Sequence, residues 1–349
     1  MRRTSILFNL FGAVGLVGLL GGCGSGGDSA PVGAGGSASG SASASGTVTG
    51  FGSLFVNGKK FEANDVLVEQ DGESKRCSIG PNDTCGFKKG MHVTANGSFS
   101  GSQHTANSVR QKDALEGLVQ SVAADGASLV VMGQLVLVDN TTIFDNNFTP
   151  TVGSFVEVNG HIQPNGVIQA TFIEPKAPVE VTPEVRGYVS SHVAAGSTFR
   201  IGNLIVSYGG AITNDMPPGN WDDLFVEVKG ANAAAFDLAT VTLTASKVEP
   251  GNQGVGNNVD EFEVEGFVTN VVSVDINTRV AHFFIGATEV RTTSNTEFRE
   301  GTVDEIVLGA KMSAEGRLEN GVLVAKHVKF KASARLEGDI ASVTGSGSA

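Results

Sequence analysis

The chain has 349 residues, of which 47 are glycine and 17% are charged, and its formal net charge is −12. A hydrophobic content of 40% is enough for packed cores, which excludes general disorder. The negative charge argues against a nucleic-acid partner, because such affinity depends on lysine and arginine neutralising phosphates. The length allows roughly two to four domains of ordinary size.

The N-terminal segment has the pattern of a secretory signal. Two arginines precede an apolar run over residues 6–20, which is shorter than the roughly 20 apolar residues that a spanning helix needs. The run ends in Leu-Gly-Gly-Cys, which resembles the lipobox of bacterial lipoproteins. That resemblance implies a signal peptide over residues 1–22, a lipid anchor on Cys23 and, with Gly24 next, an outer-membrane location facing either the periplasm or the cell surface. The alternative is an ordinary cleaved signal with an incidental cysteine.

Residues 23–46 consist mainly of glycine, serine and alanine. A segment of this composition is typical of a flexible coil. We expect it to be a tether between the lipidated cysteine and the folded part.

Export determines what is expected of the other two cysteines. Cys77 and Cys85 would meet oxidising conditions, and the stretch between them is rich in turn-forming residues. A metal site would instead need histidine or carboxylate partners at defined spacing. The sequence therefore predicts a disulfide.

Two sequence motifs recur four times in the same order. The opening motif is a strand with a central glycine, at Gly50, Gly117, Gly187 and Gly266. The closing motif ends on Gly97, Gly160, Gly230 and Gly316, and each copy leads into a last strand with Ala-x-x-Val or Ala-x-x-Ile. The motifs predict β repeats over residues 47–113, 114–176, 177–250 and 251–331. The opening motif returns at 335–343, so residues 332–349 are expected to be the lone first strand of an incomplete fifth repeat.

The second repeat shows the unit most clearly. Asp125-Gly126 is a strong hairpin signal between two predicted strands, and a third strand follows after Gly133-Gln134. An irregular link then leads to a closing hairpin, in which Ile168, Ala170 and Phe172 are predicted to share one face. This all-β order predicts a five-stranded small barrel of the oligonucleotide/oligosaccharide-binding (OB) type. A small open β-sandwich is the alternative.

The first repeat opens with Gly-Thr-Val-Thr-Gly-Phe-Gly-Ser-Leu-Phe-Val-Asn-Gly-Lys-Lys-Phe at residues 46–61. This stretch resembles the bacterial repeat family catalogued as domain of unknown function 5666. The resemblance implies an exported lipoprotein with several tandem copies. It carries no known activity and supplies no catalytic residue.

The sequence offers little catalytic chemistry. Gly-x-Ser-x-Gly, His-Glu-x-x-His, P-loop and Cys-x-x-Cys motifs are absent, and no cofactor is expected. His327 occupies the position of Phe172 in the repeat, so we expect it on the inward face and partly buried. The other five histidines, which are His92, His104, His161, His192 and His282, are expected to face solvent.

The acidic run at 260–265 is the one charge cluster that stands out. On a strand, Glu261, Glu263 and Glu265 project from one face roughly 6.5–7 Å apart. Together with Asp260 they are weak candidates for a cation site, because calcium takes several oxygen ligands. They also resemble a glycosidase acid/base pair. The interpretation we favour is a solvated strand face whose charges discourage edge-to-edge pairing.

Trp221 is the single tryptophan of the chain and lies in a Pro-Pro-Gly-Asn loop. An exposed ring there would be a weak candidate for anchoring a partner or a sugar. The other interpretation, which we favour, is that the ring folds back as a lid on its own barrel.

These observations favour a non-enzymatic array of small β-barrels, lipid-anchored in the cell envelope, that acts as a spacer or a protein-binding scaffold. Its expected partners are the membrane, through the lipid, and an envelope protein. Self-association through the strand at 335–343 is a further expectation. The alternative function is a glycan- or cation-binding envelope module, and an envelope hydrolase is a distant third.

Overall fold

The computed structural model describes residues 38–70, 72–251 and 254–331. Within these residues the chain is built from β-strands, with single-turn 3-10 helices at 145–147, 194–196, 233–235 and 303–305. None of the helices in this part of the chain has the length or apolar character needed to cross a bilayer. The predicted signal peptide, Cys23 and the strand at 335–343 lie outside the described residues.

The strands of the first two repeats follow the predicted order. The first repeat contains β1 (Ser39–Phe51), β2 (Leu54–Val56), β3 (Lys59–Phe61), β4 (Ala63–Gln70), β5 (Glu73–Ile79), β6 (His92–Ser100) and β7 (Gln103–Gln111). The second contains β8 (Leu115–Val122), β9 (Ser128–Val131), β10 (Gln134–Leu137), β11 (Ile143–Phe144), β12 (Phe155–Ile162) and β13 (Ile168–Lys176).

The third and fourth repeats have the same general plan. The third contains β14 (Glu184–Tyr188), β15 (Ser190–Val193), β16 (Thr198–Ile201), β17 (Leu204–Ser207), β18 (Phe225–Lys229), β19 (Phe236–Asp237), β20 (Thr242–Thr244) and β21 (Lys247–Pro250). The fourth contains β22 (Val259–Asp275), β23 (Val280–Ile285), β24 (Thr288–Arg291), β25 (Glu297–Arg299), β26 (Lys311–Glu319) and β27 (Val322–Phe330).

The second repeat closes into a barrel. β8 pairs with β9 and β9 with β10, both antiparallel, while β10 pairs in parallel with β13. β12 completes the ring between β13 and β8. The fourth repeat has the same ring, from β22 through β23, β24, β27 and β26 back to β22. Around each ring the strands follow the order first, second, third, fifth, fourth and back to first, which is the strand order of an OB barrel. The prediction of an OB-type barrel is confirmed for these repeats, and the alternative of an open sandwich is wrong for them.

The first and third repeats keep this order with interruptions. In the first, β3 and β4 are separated only by Glu62 and together serve as the third strand, and β5 extends the sheet beyond β4. In the third, β14 and β15 share the first-strand position, with Val189 between them, while β20 and β21 share the last. All four repeats are therefore small OB-like barrels.

The glycine of the opening motif is required by packing in the second and third repeats. A Cβ on Gly117 would lie 2.5 Å from Sδ of Met132, and one on Gly187 would lie 2.4 Å from Cγ2 of Ile201. Both partners are buried at the end of the second strand of their barrel. The missing side chain lets that apolar residue fill the barrel against a bent first strand.

The glycine of the closing motif marks a β-bulge. The register between the last two strands shifts at Gly97, Gly160 and Gly316, and a Cβ on Gly160 would lie 2.3 Å from the carbonyl oxygen of Gln169. The extra residue reverses the inward alternation of the last strand. Ile173 consequently packs in the core of its own repeat, whereas Phe172 packs in the core of the first. The prediction that Phe172 shares a face with Ala170 is wrong for this reason.

The serine- and alanine-rich segment before the first repeat is a strand over part of its length. β1 begins at Ser39 and lies between β6, to which it is antiparallel, and β22, to which it is parallel. The prediction of a flexible tether is therefore wrong for residues 39–46. The cause is packing, because Ala42 and Ala44 are almost completely buried in the core of the first repeat.

These pairings join the four repeats in a closed arrangement. β1 and β22 connect the first repeat to the fourth, and β8 and β14 connect the second to the third. Phe172 connects the second repeat to the first core, and the hydroxyl of Tyr188 donates to the carbonyl of Gly286 at 2.9 Å between the third and fourth. The chain therefore returns on itself instead of extending as a row.

Candidate functional site

The four repeats meet at a central cavity of about 120 Å³. Lys112 from the first repeat, His161 from the second, Arg186 from the third and Glu265 from the fourth all line it. Lys112 lies in the short connection between β7 and β8, so the closure of the ring carries it to the centre. A cavity with apolar walls and a few converging polar groups, to which every repeat contributes, is the first candidate for a functional site.

Two histidines form one wall of this cavity. The ring centroids of His92 and His161 are 5.4 Å apart, with their planes at 85°, and the backbone N–H of His92 donates to Oδ1 of Asn159 at 2.9 Å. Burial lowers the pKa of His161 to about 3 and lowers the pKa of His92 well below its usual value. Both rings are therefore neutral at pH 7. The expectation that they face solvent is wrong, because strands of neighbouring repeats cover them.

The remaining histidines are half-buried and have partners. Nε2 of His104 lies 3.1 Å from Oε1 of Glu261. His282 pairs with a carboxylate on the adjacent strand, Glu289, at 2.8 Å. His327, expected to point inward, instead pairs with Glu297 at 3.0 Å, because the bulge at Gly316 turns it away from the core.

A buried carboxylate joins the first and second repeats. Glu157, from the closing motif, is fully buried, and it accepts hydrogen bonds from the side-chain amides of Gln111 and Asn159. Nζ of Lys176 lies 2.6 Å from its other oxygen. A buried charge with this many partners stabilises the joint between two repeats and leaves little capacity for a ligand.

A second polar cavity, of about 480 Å³, lies between the first three repeats. Here Nζ of Lys229 lies 2.5 Å from Oε2 of Glu184 and 3.1 Å from Oε1 of Glu227. Burial raises the pKa of Glu184 well above its usual value, and the neighbouring carboxylates of Asp113 and Glu227 raise it further. Lys112 lines this acidic cleft as well as the central cavity.

The acidic run of β22 lies inside a sheet, between β1 and β26, and not on an edge. Nζ of Lys59 pairs with Glu261 and lies 2.7 Å from Oε1 of Glu315. Glu265 lies 3.4 Å from Nζ of Lys331. The favoured interpretation of a solvated face is therefore wrong for these two glutamates, because lysines from other parts of the chain pair with them.

The other two members of the run differ from each other. Asp260 is exposed, accepts a hydrogen bond from the backbone N–H of Ser41 at 3.0 Å and pairs with Arg317 at 3.1 Å. Burial raises the pKa of Glu263 to about 7, with Lys59 opposing this shift. In the part of the chain that the structure describes, no three His, Cys, Asp or Glu side chains converge in a way that could hold a metal ion.

Trp221 is a lid and not an exposed anchor. Only 7% of the residue is exposed, and its ring stacks on His192 with centroids 4.7 Å apart and planes 5° apart. Tyr208 packs at 4.8 Å, and the indole N–H donates to the carbonyl of Pro217 at 2.8 Å. The ring closes the barrel of the third repeat above Phe199.

The predicted disulfide between Cys77 and Cys85 is present, with the two Cα atoms 6.0 Å apart. It ties β5, which extends beyond the barrel, to the loop that leads into β6. Cys85 is itself buried in the core of the first repeat. The disulfide is therefore part of the packing of that repeat.

Sequence reasoning missed the residues at the centre. Lys112, Arg186, His92 and His161 lie in four different elements, and no spacing rule relates them. One feature of the sequence could have indicated this cavity. Lys112 is a charged residue in a linker that is too short to carry it away from the barrels.

A family model matches two of the four repeats. The model of the family "Domain of unknown function (DUF5666)" matches residues 116–174 and 263–329. These are the second and fourth repeats, so the resemblance is confirmed there, whereas the first repeat, whose opening residues suggested it, lies outside the match. No curated protein matches the chain.

The chain is also similar to a solved structure described as "drosophila Unr CSD456". The match has 14% sequence identity and a TM-score of 0.15, and it covers 62% of this chain and 97% of that chain. Neither comparison assigns an activity, so function is argued from the geometry.

Proposed function

We propose that this chain is a non-enzymatic, lipid-anchored scaffold of the cell envelope that binds envelope proteins as one rigid body. The observation that carries the proposal is the parallel pairing of β1 with β22, which fastens the first repeat to the last. A spacer needs repeats that extend in a row. Repeats that close into a ring span a shorter distance but are held more rigidly. The closed arrangement therefore favours the scaffold over the spacer.

The groups that suggested other functions are engaged within the fold. Glu261 pairs with Lys59, and Glu265 with Lys331, which weakens the support for a cation site or an acid/base pair on this strand. The ring of Trp221 is buried, which removes the stacking surface that a sugar would use. These contacts support a non-enzymatic role over a glycan- or cation-binding module and over a hydrolase.

The envelope location rests on the sequence of residues 1–24. If Cys23 carries the lipid, Cys23→Ala should leave the protein unprocessed or release it in soluble form. Fractionation of cells that express each form, with immunodetection, tests this expectation. A variant that is fully processed and remains in outer-membrane fractions would contradict the lipoprotein assignment.

The scaffold is tested by opening the ring. Ala44 is completely buried in the core of the first repeat, on the strand that pairs with β22, so Ala44→Asp places a charge in that core and should expel β1, which separates the first repeat from the fourth. Ser39→Asp, at the exposed start of the same strand, is the matched control. Crosslinking in cells should give the same discrete complexes with the wild type and Ser39→Asp and should lose them with Ala44→Asp. The proposal would be contradicted if Ala44→Asp still formed the same complexes after β1 had separated from β22, while circular dichroism showed that the barrels remained folded.

A further inference from the structure

We propose that the central cavity binds a small inorganic oxyanion, phosphate or sulfate, with Lys112 as its charged anchor. Lys112 is only 6% exposed, and no carboxylate of the described residues lies within ion-pair distance of its ammonium group. Its backbone N–H donates to the carbonyl of His92 at 2.8 Å, which holds the backbone of this connection next to β6, and the residue lines the cavity. Glu227 and Glu184 act on this ammonium group only from beyond ion-pair distance, so an anion in the central cavity would be its first direct counter-ion.

Two buried nitrogen atoms at the cavity lack hydrogen-bond partners in the described part of the chain. They are Nδ1 of His92 and Nε of Arg186, both from residues that line the cavity. The nearest carboxylate oxygen to Nε of Arg186 is that of Glu227, at 3.7 Å, which is longer than a hydrogen bond. Arg186 donates at Nε, and His92 donates in the tautomer protonated at Nδ1, so both nitrogens offer protons to an acceptor.

The charges around the cavity favour an anion. Burial lowers the pKa of His92 most, followed by the ring of His161 and the basic side chains of Arg186, Lys112 and Lys311. Because His161 is itself neutral at pH 7, the positive charge around the cavity comes from the other three residues. Glu265 is the carboxylate among the described lining residues. It lies 3.4 Å from Lys331 and 3.7 Å from Lys311, so lysines outside the lining already neutralise it.

The acidic cleft on the other side of Lys112 does not suit the same ligand. Its lining includes Asp113, Glu184 and Glu227 together with four further glutamates, against four basic residues. An anion is repelled there and attracted to the central cavity. Lys112 lies between the two cavities. Carboxylates surround it on the side of the acidic cleft, whereas the side of the central cavity has few.

The size of the cavity and the directions of its donors fit an ion with several acceptor oxygens. The volume of about 120 Å³ exceeds several-fold the volume of roughly 30 Å³ that one water molecule occupies in the liquid. Lys112 and His92 approach from the first repeat and Arg186 from the third. Because all four repeats line the cavity, a bound ion stabilises the closed ring by mass action.

The test titrates the purified full-length mature protein with sodium phosphate, and separately with sodium sulfate, at an ionic strength held constant with chloride. Calorimetry gives the affinity, and thermal melting gives the stabilisation. We expect a rise in melting temperature with at least one of the two anions and at least tenfold weaker binding by Lys112→Met. Lys247→Met is the matched control, because Lys247 lines the acidic cleft but not the central cavity and pairs with Glu249 at 2.6 Å.

The anion that raises the melting temperature identifies the ligand chemistry. Equal affinity of Lys112→Met and the wild type would overturn the proposal, as would the absence of heat and of a melting shift with both anions. A selenate soak of wild-type crystals gives a measurement that does not depend on a variant. An anomalous peak within hydrogen-bond distance of Nζ of Lys112 supports the site, and an empty cavity overturns it.

Discussion

Ser41 and Asp260, which are 219 residues apart in the sequence, are joined by three hydrogen bonds. The backbone N–H and the hydroxyl of Ser41 donate to Oδ2 of Asp260 at 3.0 and 2.9 Å, and the backbone N–H of Asp260 donates to the serine hydroxyl at 2.9 Å. Ser41, from a segment expected to be a flexible tether, thus binds Asp260, which the sequence offered only as a weak candidate for a cation site. Their contact is the start of the pairing that closes the ring.

The bulge glycines should tolerate no side chain. Gly160→Ala would place a Cβ 2.3 Å from a backbone oxygen that cannot move without breaking the hairpin of β12 and β13. We expect a loss of about 1–3 kcal/mol in the free energy of unfolding, as for overpacked sites. Gly80→Ala is the control, because nothing lies within 4 Å of its added Cβ. Urea unfolding that finds the two variants equally stable would show that the bulge does not restrict residue 160.

Removing the disulfide should weaken the first repeat. Replacing Cys77 and Cys85 by alanine opens a loop with a sequence separation of 8 residues, which corresponds to a loss of about 2.5 kcal/mol on the chain-entropy estimate. Amide hydrogen exchange should show the loss mainly in β4 and β5. Two reactive thiols in the untreated protein would mean that the bond does not form.

Phe172 should stabilise a repeat to which it does not belong. Because its ring packs in the core of the first repeat, Phe172→Ala should cost about 3–5 kcal/mol and speed amide exchange there. The adjacent Ile173 packs in the common core of the second and third repeats, so Ile173→Ala should speed exchange in those repeats. Identical exchange patterns for the two variants would contradict the assigned faces.

Glu263 should make stability fall as the pH rises. Its pKa is about 7 in the folded chain against an ordinary value of 4.5, so the folded state holds the proton more firmly. Stability attributable to this group is complete below pH 4.5 and is lost as the pH rises to about 7. Glu263→Gln removes this dependence and should gain roughly 2–3 kcal/mol relative to the wild type between pH 4 and pH 8.

Urea midpoints at the two pH values, for the wild type and Glu263→Gln, measure this difference. Glu319→Gln, at an exposed position of β26, is the control and should follow the wild type. Parallel pH profiles for the wild type and Glu263→Gln would contradict a raised pKa in the folded state.

Sequence patterns correctly predicted the features that depend on neighbouring residues, which are the hairpin turns, the glycine positions and the strands between them. The turn at Asp125-Gly126 precedes β9, as expected, because those residues readily adopt the hairpin turn. The opening glycine makes room for a buried residue in the second and third repeats, and in three of the four repeats the closing glycine marks a bulge in the pairing of the last two strands. These turns and glycines mark where the strands begin and end, and the order of the strands in the barrel could be predicted from them.

Contacts between repeats could not be predicted in the same way. Phe172 reverses its face because of one extra residue in a bulge, which a strict two-residue alternation does not anticipate. Residues 39–46 have the composition of a linker, and only two flanking barrels make that composition suitable for a buried strand. The burial of Lys112 arises from the closure of the ring and leaves no trace in the residues beside it.

The central claim is that the first and fourth repeats are joined through β1 and β22, and a double cysteine variant tests it most directly. Ser41→Cys and Asp260→Cys place two thiols where the native side chains are in contact. Mild oxidation followed by digestion and mass spectrometry should yield, from monomeric protein, a peptide pair linked between positions 41 and 260, and neither single variant should yield it. Thiols that remain free, or that link only separate molecules, would contradict the closed ring.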